Sequence, residues 1–233
     1  MEGTDVATTE FVNAARMMTG LSAPFERRAL AWLAARVPAR IGSDHLTSLG
    51  AVAMFAAGCC YWLAGTHRLA LLGVVVCLAV NWLGDSLDGT VARVRHRERP
   101  RYGFYVDHVL DMFGACFLLA GLALSGLMTP LVALGLLVAF LMLCLEVFLA
   151  TYCTATFRLG FARIGPTELR IVLAIGTLVL LVRPEVHAFG RTFLLFDLGG
   201  SIAAVGIVLV LVISTVRHTI DLYRAEPLSR SGH

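Results

Sequence analysis

Six stretches of this chain are apolar for long enough to cross a lipid bilayer: about 46–65, 69–88, 103–125, 129–151, 168–183 and 196–216. A crossing helix needs about 20 mostly apolar residues, because the hydrocarbon core is about 30 Å thick and each helical residue adds about 1.5 Å. The mean hydropathy of +0.79 over 233 residues lies well above that of an ordinary soluble domain. The expected fold is therefore an all-α polytopic membrane protein, with six transmembrane helices over residues 42–225 and a short tail at 226–233. No early apolar run follows a basic segment with a cleavage site, so no removable signal peptide is expected.

The arginines orient the bundle. All 19 basic residues are arginine. With the N-terminus in the cytoplasm, 16 of them fall on that side, and only Arg68, Arg183 and Arg191 fall on the other. This asymmetry predicts that both termini are cytoplasmic, which for a bacterial chain means the inner membrane. A basic cytoplasmic rim suits anionic headgroups or phosphate-bearing substrates. Nucleic acid is not an expected partner, since no basic, aromatic-interleaved soluble module is present to hold it. The six cysteines lie in or beside the spans without CxxC spacing and read as small packing residues.

The N-terminal extension, residues 1–41, ends in "PFERRALAWLAARVPARI". Leu30, Leu33, Val37 and Ile41 form one stripe there, which predicts an amphipathic helix lying in the cytoplasmic interface. In the following "SDHLTSLG", Asp44 and Thr47 are placed either to cap the first span or to meet a substrate.

One stretch departs from all this oil. "GDSLDGTVARVRHRERPRYGFYVDHVLD", residues 84–111, holds four aspartates, five arginines and a glutamate. Asp85 and Asp88 are i,i+3 and share a face near the cytoplasmic end of the second span; Asp107 and Asp111 are i,i+4 on the third. The connecting loop is short, so the two helices are expected to be antiparallel neighbours whose carboxylates converge below the interface. A carboxylate at the centre of a membrane helix costs roughly 2.5–3.5 kcal/mol on insertion scales. Four together call for a hard, oxygen-liganded cation such as Mg²⁺, and they suffice for a two-metal site. Gly89 and Ala92 leave room for a flat base or a diphosphate, Arg93 offers a planar fork for phosphate oxygens, and Gly103 leaves space at the start of the third span. Arg95, Arg97, Arg99 and Arg101 read as a solvated, positive-inside loop.

The run Asp85-x2-Asp88-Gly89-x2-Ala92-Arg93-x9-Gly103-x3-Asp107-x3-Asp111 resembles the signature of the CDP-alcohol phosphotransferase (CDP-alcohol phosphatidyltransferase) family, with all eight fixed residues present. The gap between Arg93 and Gly103 is one residue longer than the usual pattern, a change that a connecting loop absorbs. The resemblance implies a membrane enzyme of phospholipid biosynthesis, a homodimer that transfers a substituted phosphate from a CDP-linked donor to an alcohol acceptor and releases CMP. It implies two Mg²⁺ or Mn²⁺ ions held by Asp85, Asp88, Asp107 and Asp111, with Asp111 also the base for the acceptor hydroxyl. Gly89, Ala92 and Arg93 would surround the cytidine diphosphate, with Thr47 and Gly103 beside it.

Two branches of that family stay open, one using CDP-diacylglycerol with a polar alcohol, the other a CDP-amino alcohol with diacylglycerol. His108 directly after Asp107, and "GPTELR" at 165–170 with Glu168, are similar to the amino-alcohol branch; either residue can then assist proton removal. Arg158, Arg163, Arg170 and Arg217 are placed to line an anionic pocket for an acceptor bearing its own phosphate. The rival readings are an intramembrane Mg²⁺-dependent prenyltransferase, which would carry its two acidic motifs far apart, and a carboxylate-based ion transporter, which would place them near the midplane within inverted repeats.

Overall fold

The computed structural model describes residues 23–154, 166–188 and 190–226. Residues 1–22, Arg158, Arg163, Gly165 and the tail from 227 onward lie outside the described residues. The elements run α1 (Ala23–Ala34), α2 (Ser43–Ala64), α3 (Ala70–Val94), α4 (Pro100–Ser125), α5 (Pro130–Thr154), α6 (Pro166–Val182), β1 (Glu185–Ala188), β2 (Arg191–Leu194) and α7 (Leu195–Ala225).

Local chemistry sets the boundaries. His96, at φ 51°, turns the chain out of α3. Pro100 sits in the first turn of α4, where its missing N–H costs nothing, and Gly126 at φ 75° closes that helix in the left-handed region. At the start of α5, Asp197 from the first turn of α7 accepts hydrogen bonds from the Thr129 backbone N–H and hydroxyl, both 2.6 Å.

Among the described residues, five helices are long and apolar enough to cross a membrane: α2, α3, α4, α5 and α7. The expected fifth span is α6, and its 17 residues rise only about 25 Å. It is shorter than the other five, so five of the six expected spans are supported among the described residues. The chain is all-α in class as expected, with one short addition between α6 and α7, where β1 and β2 form an antiparallel hairpin with Glu185 opposite Leu194 and Ala188 opposite Arg191. Gly190, at φ 72°, turns it.

The helices are joined in a ring. α2 packs against both α3 and α4, α4 against α5, α5 against α7, α3 against α6, and α6 lightly against α7. α3 and α4, expected to be packed neighbours, scarcely meet, because α2 stands between them. Small residues make this possible. A Cβ at Gly58 would overlap the Phe117 carbonyl, and one at Gly121 would overlap that of Gly58, so the backbones of α2 and α4 touch directly. Toward the end of the bundle away from the motif, Tyr61, Leu71, Val74, Leu118, Leu122 and Leu180 form the core. Tyr61 reaches Thr177 of α6 there at 2.5 Å.

The motif end has its own smaller core of Leu30, Ala34, Leu46, Leu87 and Val91. The apolar stripe of α1 thus faces α3 and α2, with Leu33 and Val37 packed against the same cluster. The helix stops at Ala34, before Pro38, rather than running to Ile41.

Candidate functional site

Asp88 is 4% exposed, and a carboxylate buried that far needs donors. Its Oδ2 accepts from the Thr47 hydroxyl at 2.7 Å, and its Oδ1 from the Gly89 backbone N–H at 2.5 Å. The Ser43 hydroxyl donates to the Asp88 carbonyl at 3.1 Å. The Thr47 hydroxyl also lies 3.1 Å from the Ser43 carbonyl. Having one proton, it goes to the shorter, charge-assisted contact. Thr47 is therefore not the helix cap considered above: the residue that caps α2 is Gly42, whose N–H donates to the His45 Nδ1 at 3.2 Å. Asp44 is not a cap either, since its carboxylate pairs with Arg99.

Asp85 projects toward a different helix. Its Oδ2 accepts from Arg170 Nη1 of α6 at 3.0 Å, with side-chain exposures of 21% and 15%. One turn earlier on α3, Asn81 donates to the Gly50 carbonyl at 3.1 Å. Gly84 lets α2 come this near, as a Cβ there would sit 2.7 Å from the Leu46 carbonyl oxygen.

The other two motif acids are carried by α4. Met54 lies against Gly114, and Gly58 against Phe117 and Gly121, so α2 and α4 run parallel in a steady register. Asp107 and Asp111 lie on α4 toward its N-terminal end, beyond these contacts. Asp107 is half-buried and Asp111 exposed. Asp111 lies near Cys144 of α5. His108 Nδ1 is 2.6 Å from the Phe104 carbonyl, an oxygen that only accepts. Nδ1 therefore carries the proton in the neutral ring, which makes Nε2 the acceptor nitrogen. The ring is flanked by Phe104 at 4.1 Å and by Phe148 of α5 at 5.4 Å.

The remaining motif residues occupy the same end. Arg93 is exposed and folds back along α3: its Nη2 donates to the Thr90 hydroxyl at 3.1 Å, and its Nη1 would meet a Cβ at Gly89 at 3.4 Å. Ala92 is half-buried, and a Cβ at Gly103 would meet nothing within 4 Å. Glu168 is half-buried in the first turn of α6.

Two of the four loop arginines, Arg95 and Arg99, are not simply solvated, which corrects that expectation for them. Arg95 donates to the carbonyls of Val37, Pro38 and Ile41 at 2.6–3.1 Å, tying the end of α3 to the link between α1 and α2. Arg99 pairs with Asp44 and lies over the Tyr102 ring at 4.2 Å.

Two polar arrangements escaped sequence reasoning. One is the Arg170–Asp85 pair; the signal for it was an arginine one turn into a helix that begins at the motif end. The other joins α5 to α7: Glu146 accepts from the Ser214 hydroxyl at 2.9 Å and lies 2.6 Å from His218 Nδ1. A lone glutamate within an apolar span was the signal for that one.

Among the described residues, no three His, Cys, Asp or Glu side chains stand close enough together to hold a metal ion as placed. The donor chemistry nevertheless fits a hard cation. The four acids offer oxygen only, and Asp85 already meets a positive charge in Arg170.

Comparison with curated proteins finds no match. The family model for CDP-alcohol phosphatidyltransferase matches residues 43–216. That span is about three quarters of the chain and takes in α2 through most of α7 together with the whole aspartate motif. With the signature intact and the match running across the bundle that carries it, the chain belongs to the CDP-alcohol phosphatidyltransferase family.

Proposed function

We propose that this protein makes phospholipid by moving a substituted phosphate from a CDP-linked donor, CDP-diacylglycerol or a CDP-amino alcohol, onto an alcohol acceptor. The observation that carries the reading is Asp88, a signature carboxylate kept buried and hydrogen-bonded by Thr47 and Gly89.

In this reading Asp85, Asp88, Asp107 and Asp111 hold two divalent ions, Mg²⁺ or Mn²⁺. Bound there, such ions would neutralise the diphosphate and the charge growing on the departing CMP. Thr47 fixes the rotamer of Asp88, so one ligand direction is set before substrate arrives. Arg93, exposed and lying over Gly89, binds diphosphate oxygens, and Gly89, Ala92 and Gly103 leave the space that the nucleotide needs. The acceptor hydroxyl oxygen attacks the phosphorus that bears the alcohol. The bond from that phosphorus to the bridging oxygen breaks, CMP leaves with the electron pair, and the hydroxyl proton passes to Asp111. Asp111 suits the role because it is exposed, one turn along α4 from Asp107.

A second assignment of the base rests on His108, whose Nδ1–H is committed to Phe104 and whose Nε2 therefore accepts. It goes with the amino-alcohol branch, in which Glu168 would assist. The arginine asymmetry supports a cytoplasmic site, and the family resemblance supports a homodimer.

The test is CMP release from purified protein in lipid nanodiscs, supplied in turn with CDP-diacylglycerol plus polar alcohols and CDP-ethanolamine plus diacylglycerol. Each is run with Mg²⁺, Mn²⁺ or excess EDTA. Metal-dependent release from one donor is expected; undiminished release in EDTA would overturn the metal assignment, and no release from either donor would overturn the proposed function.

A further inference from the structure

Arg170, a residue from outside the motif, sits directly on a motif carboxylate, its Nη1 3.0 Å from Asp85 Oδ2. Both side chains are largely buried, so this is not a surface pair formed by chance between long side chains in water. Arg170 comes from α6 and Asp85 from α3, and the pair is a polar tie between these two helices at the motif end. A guanidinium does not give up its proton at any ordinary pH, so it can leave Asp85 only by moving away. A divalent ion approaching the same carboxylate is repelled by the guanidinium and competes with it for Oδ2.

From this geometry we infer that Arg170 and the divalent ion are alternative partners of Asp85. The guanidinium keeps the first signature aspartate charged and oriented between turnovers, and ion entry releases it. The inference rests on the reading of Asp85 as a metal ligand. Arg170 is a positioning residue here, acting on affinity for the ion through Asp85.

The experiment is a Mn²⁺ titration of the full chain in nanodiscs, in which the electron paramagnetic resonance signal of free Mn²⁺ reports binding and a thermal melt is taken at each Mn²⁺ concentration. Wild type, Arg170→Gln, Arg170→Lys and Asp85→Asn are compared. Arg170→Gln removes the competitor, so it is expected to bind Mn²⁺ about fivefold tighter, as for loss of one modest ion pair. It should also melt lower without metal and gain more from Mn²⁺ than wild type. Binding equal to or weaker than wild type in a monodisperse Arg170→Gln protein overturns the exchange. If that variant does not stay monodisperse, Arg170→Lys decides: its single ammonium is the poorer partner, and affinity raised about twofold supports the exchange, whereas equal or lower affinity overturns it. Failure of wild type to bind Mn²⁺, or unchanged binding by Asp85→Asn, instead overturns the metal reading beneath it.

Discussion

Replacing Gly84 by alanine adds one methyl group where α3 presses on α2. That Cβ would lie 2.7 Å from the Leu46 carbonyl oxygen, 3.1 Å from the Gly50 nitrogen and 3.2 Å from the Gly50 Cα. Ordinary van der Waals contact begins at 3.4 Å, and all three atoms are backbone, so no side chain can swing aside. The helices must part by about 0.7 Å. The opening falls one turn from the Thr47–Asp88 hydrogen bond, now 2.7 Å, and would stretch it to about 3.4 Å, outside the useful range. Overpacking of this kind costs about 1–3 kcal/mol, partly offset by about 1 kcal/mol from the better helix propensity of alanine. The expected net loss of stability is therefore only about 1 kcal/mol. Activity should suffer more, because displacing reacting groups by about 1 Å can cost about 100-fold. We expect CMP release to fall about 10- to 100-fold while the melting temperature drops by a few degrees. Gly135→Ala is the control, since a Cβ there meets nothing within 4 Å. If Gly84→Ala matches Gly135→Ala in both melting and turnover, the helix spacing does not set the site.

Asp111→Asn should keep donor affinity within a few-fold of wild type yet lose transfer by about 100-fold or more; retained turnover there, with loss in His108→Gln, would move the base to the histidine. Arg95→Ala removes the donor to Val37, Pro38 and Ile41 and should destabilise by about 1–2 kcal/mol in a thermal melt, a reasoning refuted by an unchanged melting temperature. Glu146→Ala strips Ser214 and His218 of their acceptor. It should cost about 1–3 kcal/mol with KM for the donor unchanged, so a large KM effect would show that Glu146 serves the site.

The motif residues could be read from sequence because their chemistry is extreme: aspartates at helical spacing inside an apolar run admit few explanations. Their partners were harder to see. Thr47 looked like a cap because threonine at a helix start usually is one; its real role depends on α2 lying against Asp88, which no spacing within α2 reveals. The error about α3 and α4 has the same root. A short loop brings two helix ends together but does not press their flanks against one another, and the glycines that let α2 in between, Gly58 and Gly121, carry no polar signal. The hairpin at β1 and β2 was hidden because four residues on each side give too little alternation to separate a strand from a loop. The shortness of α6 was legible, since Arg183 and Pro184 follow its apolar run directly.

The position of α2 bears on any attempt to borrow this chemistry for a designed enzyme. The 27 residues from Asp85 to Asp111 look like a portable cassette, two half-helices and a loop that might be spliced into another bundle. They would arrive without the wedge that keeps their two acidic faces apart. A recipient must supply a third helix with a hydroxyl opposite Asp88 and glycines opposite Gly84 and Gly121, as Thr47, Gly50 and Gly58 do here. The smallest transferable unit is therefore Ser43 through Ser125, and a graft of the signature alone should give four repelling carboxylates on two helices free to choose their own distance.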